Sequence, residues 1–515
     1  MAGGLLQLVA YGAQDIYLTG NPQITFFKIV YRRHTNFSME CVEQVFSGTP
    51  NFGRKAICTI TRNGDLVTRM YLMATLPKLS KGHAWCRRVG YSMLKSVEVE
   101  IGGTKIDKHY GNWLNIWHEL THDPNHDRAH DKMIGNTDEI CLPSSDDIPQ
   151  TTLYVPLEFW FNRNTGLALP LIALQYHEVR VEFEFETVAN LVCSDDNVVE
   201  NRVPLSESLA MVDSSLLVDY IYLDSEERRR FAQVGHEYLI EQLQGGDSGA
   251  DSVNQTTHKT KLNLNHPVKE LIWVLKKDSN TRTNKYLAHP RSVDRFNEAA
   301  VALVKHLCND PAGTEQDGDG TVTVGGASTQ ITIEYAGGEK IKVGRHVGSN
   351  NQVSVALCNK IVDAVVVVGG GNEVTVVSVT HTLGSVDLRH PAGLVTYNDL
   401  LSNSVHPDGL GNPLADARLQ LNGHDRFDTR NGDYFNLVQP WQHHTRTPSD
   451  GVNLYSFALK PEEHQPSGSC NMSRIDNATL NLNFTHDDPS KLLVYAVNYN
   501  VLRVMSGMGG LAYSN

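Results

Sequence analysis

Short segments in which apolar and polar residues alternate recur along the whole chain and constrain its fold more than any other feature. The clearest lie at 97–101, 179–185 and 480–484. In 179–185 (VRVEFEF), valine and phenylalanine alternate with arginine and glutamate. Because successive side chains of a β-strand point to opposite faces, each segment predicts a strand with one buried and one solvated face. Such strands are typical of antiparallel sandwiches and barrels, so the sequence predicts an all-β fold.

Helical patterns are sparse. The segment 112–122 (NWLNIWHELTH) places two tryptophans, an isoleucine and a leucine on one stripe at helical spacing, which predicts a helix. The segment 225–231 (SEERRRF) predicts a second short helix, with Ser225 as its cap and two glutamates in its first turn. These helices are expected to lie in connections between strands.

The order of features in the first half of the chain recurs in the second half. The shared order is a strand ending at a Gly-containing turn, an aromatic segment, a Leu-Tyr pair, an alternating strand and a longer apolar strand. It runs from 97 to 222 and again from 419 to 499. This order predicts two related β domains in tandem, joined near 224–231. Two unrelated sandwiches with similar strand order are the alternative.

The region between about 279 and 410 differs from the rest of the chain in composition and residue pattern. Two segments within it, 318–343 and 362–383, are rich in glycine, valine, threonine and aspartate and alternate around Gly-Gly turns. They predict hairpins in a long β-rich insertion within the second domain. Long elaborations between strands normally lie on the surface, where they make contacts and do not build the core.

Composition excludes several classes of function. The chain has 515 residues, with 58 Asp and Glu against 45 Lys and Arg and a net charge of −13, which argues against a protein that coats nucleic acid. No apolar run approaches the length of a membrane span. The eight cysteines are scattered, and no basic residue precedes Lys28, so we expect a soluble intracellular protein without a disulfide framework. Without a secretory signal, glycosylation is not expected at the sequons of Asn36, Asn254, Asn471, Asn477 and Asn483.

The sharpest candidate for chemistry is the HExxH motif at 118–122, which zinc proteases use to place two imidazoles on one helical face. A third ligand would have to come from His126, His130 or Glu139. The longer metzincin signature requires histidine at 128, where this chain has Arg128. We therefore interpret the motif as part of a structural helix, and no metal ligand is predicted.

Other candidate motifs are equally weak. Residues 315–320 resemble the start of a calcium loop, but Gly326 stands where the bidentate glutamate should be. The glycine-rich segments at 368–371 and 506–510 lack the context of a phosphate-binding loop.

The basic runs 31–34 and 228–230 are interpreted as salt-bridge partners at domain or subunit seams, and the pair His443-His444 as interfacial. The sequence predicts no catalytic residue and no cofactor.

Several long blocks of the sequence resemble one family. They include 5–37 (LLQLVAYGAQDIYLTGNPQITFFKIVYRRHTNF), 219–233 (DYIYLDSEERRRFAQ), 434–446 (YFNLVQPWQHHTR) and 494–514. Together with 419–427 and 455–476, they resemble the major capsid protein of nucleocytoplasmic large DNA viruses. The resemblance covers most of 1–278 and 411–515 and thins across about 279–410, where the insertion lies.

The resemblance implies a tandem of two eight-stranded jelly-roll sandwiches, in agreement with the repeated strand order. The implied division is an inner arm over 1–24, a first jelly roll over 25–223, a junction over 224–234 and a second jelly roll over 235–515. The insertion at about 279–410 belongs to the second.

The family also implies a structural role and no enzymatic activity. The expected assembly is a homotrimer that forms a pseudo-hexagonal capsomer and tiles an icosahedral shell in the virion. The expected partners are neighbouring capsomers, with minor capsid proteins and an internal membrane on the inner side and no direct contact with nucleic acid. The insertion would point outward to the host surface, 461–475 would lie near the three-fold axis, and assembly would occur at viral factories in the host cytoplasm.

Three alternatives remain open at this point. A minor or paralogous capsid protein of the same fold would have the same sequence features. Tandem jelly rolls also occur in amide-cleaving deglycosylases, and HExxH would suit a metalloprotease. A glycan-binding module acting through the outer loops is the third.

Overall fold

The computed structural model describes residues 10–141, 147–194, 209–246, 249–280, 286–289, 411–485 and 489–513. It also describes the backbone of nine short strands between 314 and 395. Sixteen strands build two sandwiches of the same design, and these strands are labelled β1 to β16.

The first sandwich contains eight strands in two antiparallel sheets. The strands are β1 (Phe37–Gln44), β2 (Lys55–Thr59), β3 (Leu66–Leu76), β4 (Leu94–Ile101), β5 (Thr104–His109), β6 (Thr151–Pro156), β7 (Val179–Phe185) and β8 (Asp213–Leu223). One sheet has the order β1-β8-β3-β6 and the other the order β2-β7-β4-β5. This is the strand order of a jelly roll, and we call this sandwich the first roll.

The second sandwich repeats that order, and we call it the second roll. Its strands are β9 (His236–Gly245), β10 (Thr257–Leu262), β11 (Pro267–Lys277), β12 (Leu414–Leu421), β13 (His424–Asp425), β14 (Val452–Ser456), β15 (Ala478–Phe484) and β16 (Ser490–Met505). The sheets have the orders β9-β16-β11-β14 and β10-β15-β12-β13. Each strand of the second roll therefore has the same place in its sheet as the first-roll strand whose label is lower by eight. The predicted tandem of jelly rolls is confirmed.

Alternation explains which strands the sequence predicts most clearly. In β7 every second residue is buried, and the strand has the predicted ends Val179 and Phe185. Strand β11 is different, because its residues from Val268 to Leu275 are all buried. Leu271 and Trp273 pack into the interior of the second roll, whereas Ile272 and Val274 pack against a helix of the first roll. A strand covered on both faces shows no alternation.

The predicted helices are present in the connections. Helix α1 (Gly111–Thr121) lies between β5 and β6, followed by α2 (Asp127–Ile134), and α3 (Ser225–Gln233) joins the two rolls. The cap of α3 was predicted wrongly. Asp224 is the cap, because its Oδ1 accepts hydrogen bonds from the backbone N–H groups of Glu226 (3.1 Å) and Glu227 (3.0 Å). The residue before Ser225 therefore satisfies the first amides of the helix.

The remaining elements are short. The helices are Ile16–Thr19, Val89–Ser92, Asp138–Cys141, Trp160–Arg163, Val188–Leu191 and Gln439–His443, with single turns at Pro124–His126, Thr165–Leu167, Asp278–Asn280 and Met472–Arg474 and a wide turn at Tyr434–Val438. The short strands are His83–Trp85, Leu169–Pro170, Val192–Ser194, Asp251–Val253, Arg430–Asn431, Cys470–Asn471 and Met508–Leu511. Within the described residues, no helix is long and apolar enough to cross a membrane.

The insertion contains strands where hairpins were predicted. Gln330–Tyr335 pairs antiparallel with Lys340–Gly344, and Val365–Val368 pairs with Asn372–Ser378. The other strands are Thr314–Gln316, Thr323–Val324, Thr380–His381, Leu388–His390 and Gly393–Val395. Of the calcium-like segment, residues 317–320 lie outside the described residues.

Candidate functional site

The two rolls meet at a seam formed by helix α1 of the first roll and one sheet of the second. Trp113, Ile116, Trp117 and Leu120 pack in one buried cluster with residues of β11, β14 and β16, Tyr495 among them. These four side chains are the apolar stripe seen in the sequence. Burying each of them contributes about 1.5–3 kcal/mol, which makes the seam a major source of stability.

Glu119, the glutamate of the HExxH motif, joins the two rolls at the edge of this seam. Its Oε1 accepts hydrogen bonds from Arg88 Nη1 (2.9 Å) and Asn115 Nδ2 (3.1 Å), both in the first roll. Its Oε2 accepts from the backbone N–H (3.0 Å) and the hydroxyl (2.6 Å) of Ser449 in the second roll. A carboxylate with four hydrogen bonds has a structural role and is poorly placed to act as a base.

The histidines of the motif pack against each other. The rings of His118 and His130 are stacked with centroids 3.5 Å apart, and that of His122 lies 4.4 Å from His118. The hydroxyl of Tyr91 lies 2.8 Å from Nε2 of His130. No group of three or more His, Cys, Asp or Glu side chains in the described ranges is arranged to hold a metal ion. Stacked rings direct their nitrogens away from a common point, so the arrangement suits a structural helix.

Burial controls the protonation of this histidine group. Desolvation by burial, together with a smaller effect of the neighbouring histidines, lowers the pKa of His118 to about 2 and that of His130 to about 3. Next to the group, Asp127 Oδ1 accepts a hydrogen bond from Arg446 Nη1 of the second roll (2.7 Å). His126 and Glu139, the other candidate ligands, are exposed.

The second roll contains a buried charged group that the sequence reasoning missed. The side chain of Lys269 is fully buried, and its Nζ lies 2.6 Å from Glu241 Oε1 and donates to the carbonyl of Pro461. Arg163 of the first roll lies 3.1 Å from the other oxygen of Glu241. Burial lowers the pKa of Lys269, against the effect of Glu241. These partners are distant in sequence, so no local pattern indicated them.

His444 was interpreted as interfacial, and this interpretation is wrong. Its side chain is fully buried inside the second roll, with Nε2 2.8 Å from Glu270 and Nδ1 2.8 Å from Glu462. Burial alone would lower its pKa, but the two carboxylates raise the pKa to about 9. His443 is half-buried, and its ring lies 3.0 Å from the carbonyl of Leu459.

The basic run 228–230 makes salt bridges at the junction of the rolls, as predicted. Arg228 Nε lies 3.0 Å from Asp65 of the first roll, and Arg229 pairs with Glu226 within α3 at 2.6 Å. Asp65 also accepts a hydrogen bond from the backbone N–H of Leu223 (2.9 Å), so this carboxylate ties the last strand of the first roll to the connecting helix.

Every residue of the N-terminal segment 10–36 is exposed, in contrast to the buried residues of the seam. Its apolar residues include Tyr17, Phe26 and Phe27, whose side chains are almost completely accessible. The basic run 31–34 lies in this segment. An apolar segment that does not pack on its own chain is typical of a surface that other molecules cover.

Two family descriptions match consecutive parts of the chain. Residues 25–224 match the N-terminus of the major capsid protein, and residues 227–510 match the large eukaryotic DNA virus major capsid protein. The second match spans more than half of the chain. The chain belongs to this capsid protein family.

Relatives of known identity agree with the assignment to this major capsid protein family. The major capsid protein of Phaeocystis pouchetii virus is 44% identical over 560 residues, and that of Paramecium bursaria Chlorella virus 1 is 39% identical over 541 residues. Both alignments cover 100% of this chain and 100% of the relative.

Solved structures agree as well. A chain of the PBCV-1 virus capsid has a TM-score of 0.64 at 32% identity, covering 95% of this chain and 100% of that chain. The Faustovirus major capsid protein, at 13% identity, has a TM-score of 0.64 with 96% and 95% covered and shows the shared fold alone. The relatives are structural capsid proteins, so this major capsid protein is a component of the virion and not an enzyme.

Proposed function

We propose that this major capsid protein forms a homotrimer whose six jelly rolls make a pseudo-hexagonal capsomer, and that these capsomers tile an icosahedral shell. The observation that carries the proposal is the identical strand order of the two rolls. Two similar rolls in each of three chains provide six similar sides on a three-fold object, which is the symmetry that a hexagonal lattice requires. Neighbouring capsomers would contact one another through these sides.

The domain division of the proposal follows the resemblance of the sequence. It comprises an inner arm over 1–24, a first roll over 25–223, a junction over 224–234 and a second roll over 235–515. The family matches to 25–224 and 227–510 support a boundary in this junction. The exposed apolar residues of the arm support contact with minor capsid proteins and the internal membrane on the inner side of the shell.

The insertion at about 279–410 is proposed to face outward, where it would contact the host surface. Deleting residues 310–385 should then leave a folded trimer with the mass expected for the shortened chain. Loss of soluble protein on this deletion would show that the segment belongs to the core. Assembly is proposed to take place at viral factories in the host cytoplasm.

The first test is the solution mass of the full-length purified protein, measured by light scattering coupled to size exclusion. The proposal predicts a species at three times 57.2 kDa, about 172 kDa, because only a closed trimer provides six sides. Electron micrographs of the same fraction should show six-sided particles. A monomer at all concentrations would contradict the proposal.

A further inference from the structure

The connection between the fifth and sixth strands of a roll carries a helical segment in both rolls. In the first roll it is α1, and in the second it is the pair of turns from 434 to 443, between β13 and β14. Both segments are anchored by a large apolar residue followed by an asparagine, Leu114 and Asn115 in α1 and Phe435 and Asn436 in the second roll. All four of these side chains are buried, so the two segments sit on their rolls in corresponding registers.

The outer faces of the two segments also correspond, but only one is covered. With the anchors aligned, Ile116, Trp117 and Leu120 of α1 correspond to Leu437, Val438 and Trp441. Leu120 has 0% exposure because the second roll covers α1, whereas Trp441 is 81% exposed. Leu437 and Val438 are exposed as well. We call Leu437, Val438 and Trp441 the open helix face.

The sheet that receives α1 has a counterpart in the first roll. In the second roll, Ile272 of β11 lies opposite Leu454 of β14 and Tyr495 of β16, and all three contact the cluster of α1. In the first roll, the corresponding strands β3 and β6 place Met73 opposite Tyr154.

On the same face of the first roll, Tyr71 of β3 lies opposite Leu217 of β8. Their neighbours Leu72 and Leu216 point into the core. Tyr71, Met73, Tyr154 and Leu217 are half-buried or exposed, and we call them the open sheet face.

We propose that the open helix face of one copy docks on the open sheet face of a second copy. This inference rests on the proposed homotrimer and identifies the residues of its interface. Within one chain, the helix of the first roll covers the sheet of the second roll, and the complementary helix and sheet faces remain open. Repeating the same contact between chains is a head-to-tail association, which closes into a ring if the rotation allows it. Six rolls in three chains complete that ring.

Trp441 should contribute most to this interface. Tryptophan is the residue type most enriched among those that dominate binding, because it buries a large area with little loss of side-chain entropy. On the receiving side, Tyr154 and Met73 present the aromatic and thioether surfaces on which an indole packs well.

The test compares two substitutions at the interface with one elsewhere on the surface. Trp441→Glu and Tyr154→Glu place a charge on the open helix face and on the open sheet face. Val45→Glu is the matched control, because Val45 is 79% exposed and belongs to neither face. The dissociation of each full-length trimer on dilution is followed by light scattering, and circular dichroism checks that each variant is folded.

We expect both interface variants to dissociate at concentrations at least about 30-fold higher than the wild-type protein does, and Val45→Glu to remain a trimer. A wild-type trimer whose Trp441→Glu variant is equally resistant to dilution would overturn this inference and leave the homotrimer standing. A wild-type monomer would overturn both. Should Trp441→Glu fail to fold, Trp441→Ser and Tyr154→Glu give the same decision.

Discussion

The third strand of each roll carries one extra residue relative to its partner strand, but the two bulges have different surroundings. In the first roll the bulge between β3 and β8 comprises Thr68, which is buried, and Arg69, whose side chain is exposed to water. In the second roll the bulge between β11 and β16 contains Lys269, which is completely buried.

The two bulges differ in exposure because a loop covers the bulge of the second roll. In the second roll, the loop after β14 lies across the bulge. The carbonyl of Pro461 accepts a hydrogen bond from the ammonium of Lys269, and the backbone N–H of Phe457 donates to the carbonyl of Lys269 (2.8 Å). The same backbone irregularity thus holds a solvated cation in one roll and a buried ion pair in the other. The two rolls share their strand order and the bulge, and the covering loop determines whether a charged side chain in the bulge is buried and requires a partner.

The largest expected effect concerns the partner of the buried cation. Glu241→Gln leaves Lys269 buried without its carboxylate, and removing one member of a buried pair costs about 3–5 kcal/mol. We expect the free energy of unfolding, measured by urea denaturation, to fall by that amount. Arg69→Gln is the matched control at the first-roll bulge and should change it by less than about 0.5 kcal/mol. Equal effects of the two substitutions would contradict the comparison of the bulges.

The buried histidine of the second roll should make stability depend on alkaline pH. The pKa of His444 is raised to about 9, so its stabilising contribution is present below pH 6.5 and is lost as pH rises through 9. The loss should be on the order of 3 kcal/mol. Urea midpoints measured from pH 6 to pH 10 should fall in the wild-type protein and fall less steeply in His444→Gln. Identical slopes would show that Glu270 and Glu462 do not stabilise the protonated form of His444.

The histidine group of the first roll should respond at the other end of the pH scale. Burial lowers the pKa values of His118 and His130, so below pH 6.5 the unfolded chain takes up protons that the folded chain does not. Each of these two histidines should then lower the free energy of unfolding by about 2 kcal/mol at pH 5. His118→Gln should flatten the loss of stability between pH 6.5 and pH 5, whereas His444→Gln should not. A wild-type protein equally stable at both values would exclude this effect.

The smallest effect is expected at the edge of the seam. Glu119→Gln removes the charge that pairs with Arg88 and keeps an acceptor for Ser449, so we expect a loss of about 1.5 kcal/mol in urea denaturation. Glu178→Gln breaks the exposed pair with Arg180 and is the matched control, with a loss below about 1 kcal/mol. Zinc bound in stoichiometric amount by the wild-type protein would instead favour the metal interpretation of the motif.

Sequence reasoning predicted most sharply the strands that have one solvated face, and it missed β11, which has none. Strand β7 was predicted to its ends because its polar residues face water. Strand β11 was not predicted, since the two rolls cover both of its faces and the alternation disappears. The repeated order of features was sufficient to predict the tandem, because equivalent strands of both rolls keep similar turns and aromatic segments.

The buried polar groups could not be predicted for a different reason. Lys269 and Glu270 occupy adjacent positions in the sequence, a pattern that reads as a solvated strand edge. Their partners Glu241 and His444 are 28 and 174 residues away, and a single sequence does not reveal such pairings. The HExxH motif misleads in the opposite direction, because its spacing suits a metal whereas Glu119 is already engaged by Arg88 and Ser449.

The position of β16 at the end of the chain has a consequence for synthesis on the ribosome. All eight strands of the first roll are complete at Leu223, but the second roll needs β16, which ends at Met505. At 5–20 residues per second, translation of the intervening segment takes roughly 15–60 s. Throughout that interval Trp113 and Trp117 have no sheet to cover them, so the nascent first roll displays an adhesive apolar stripe in a crowded polysome.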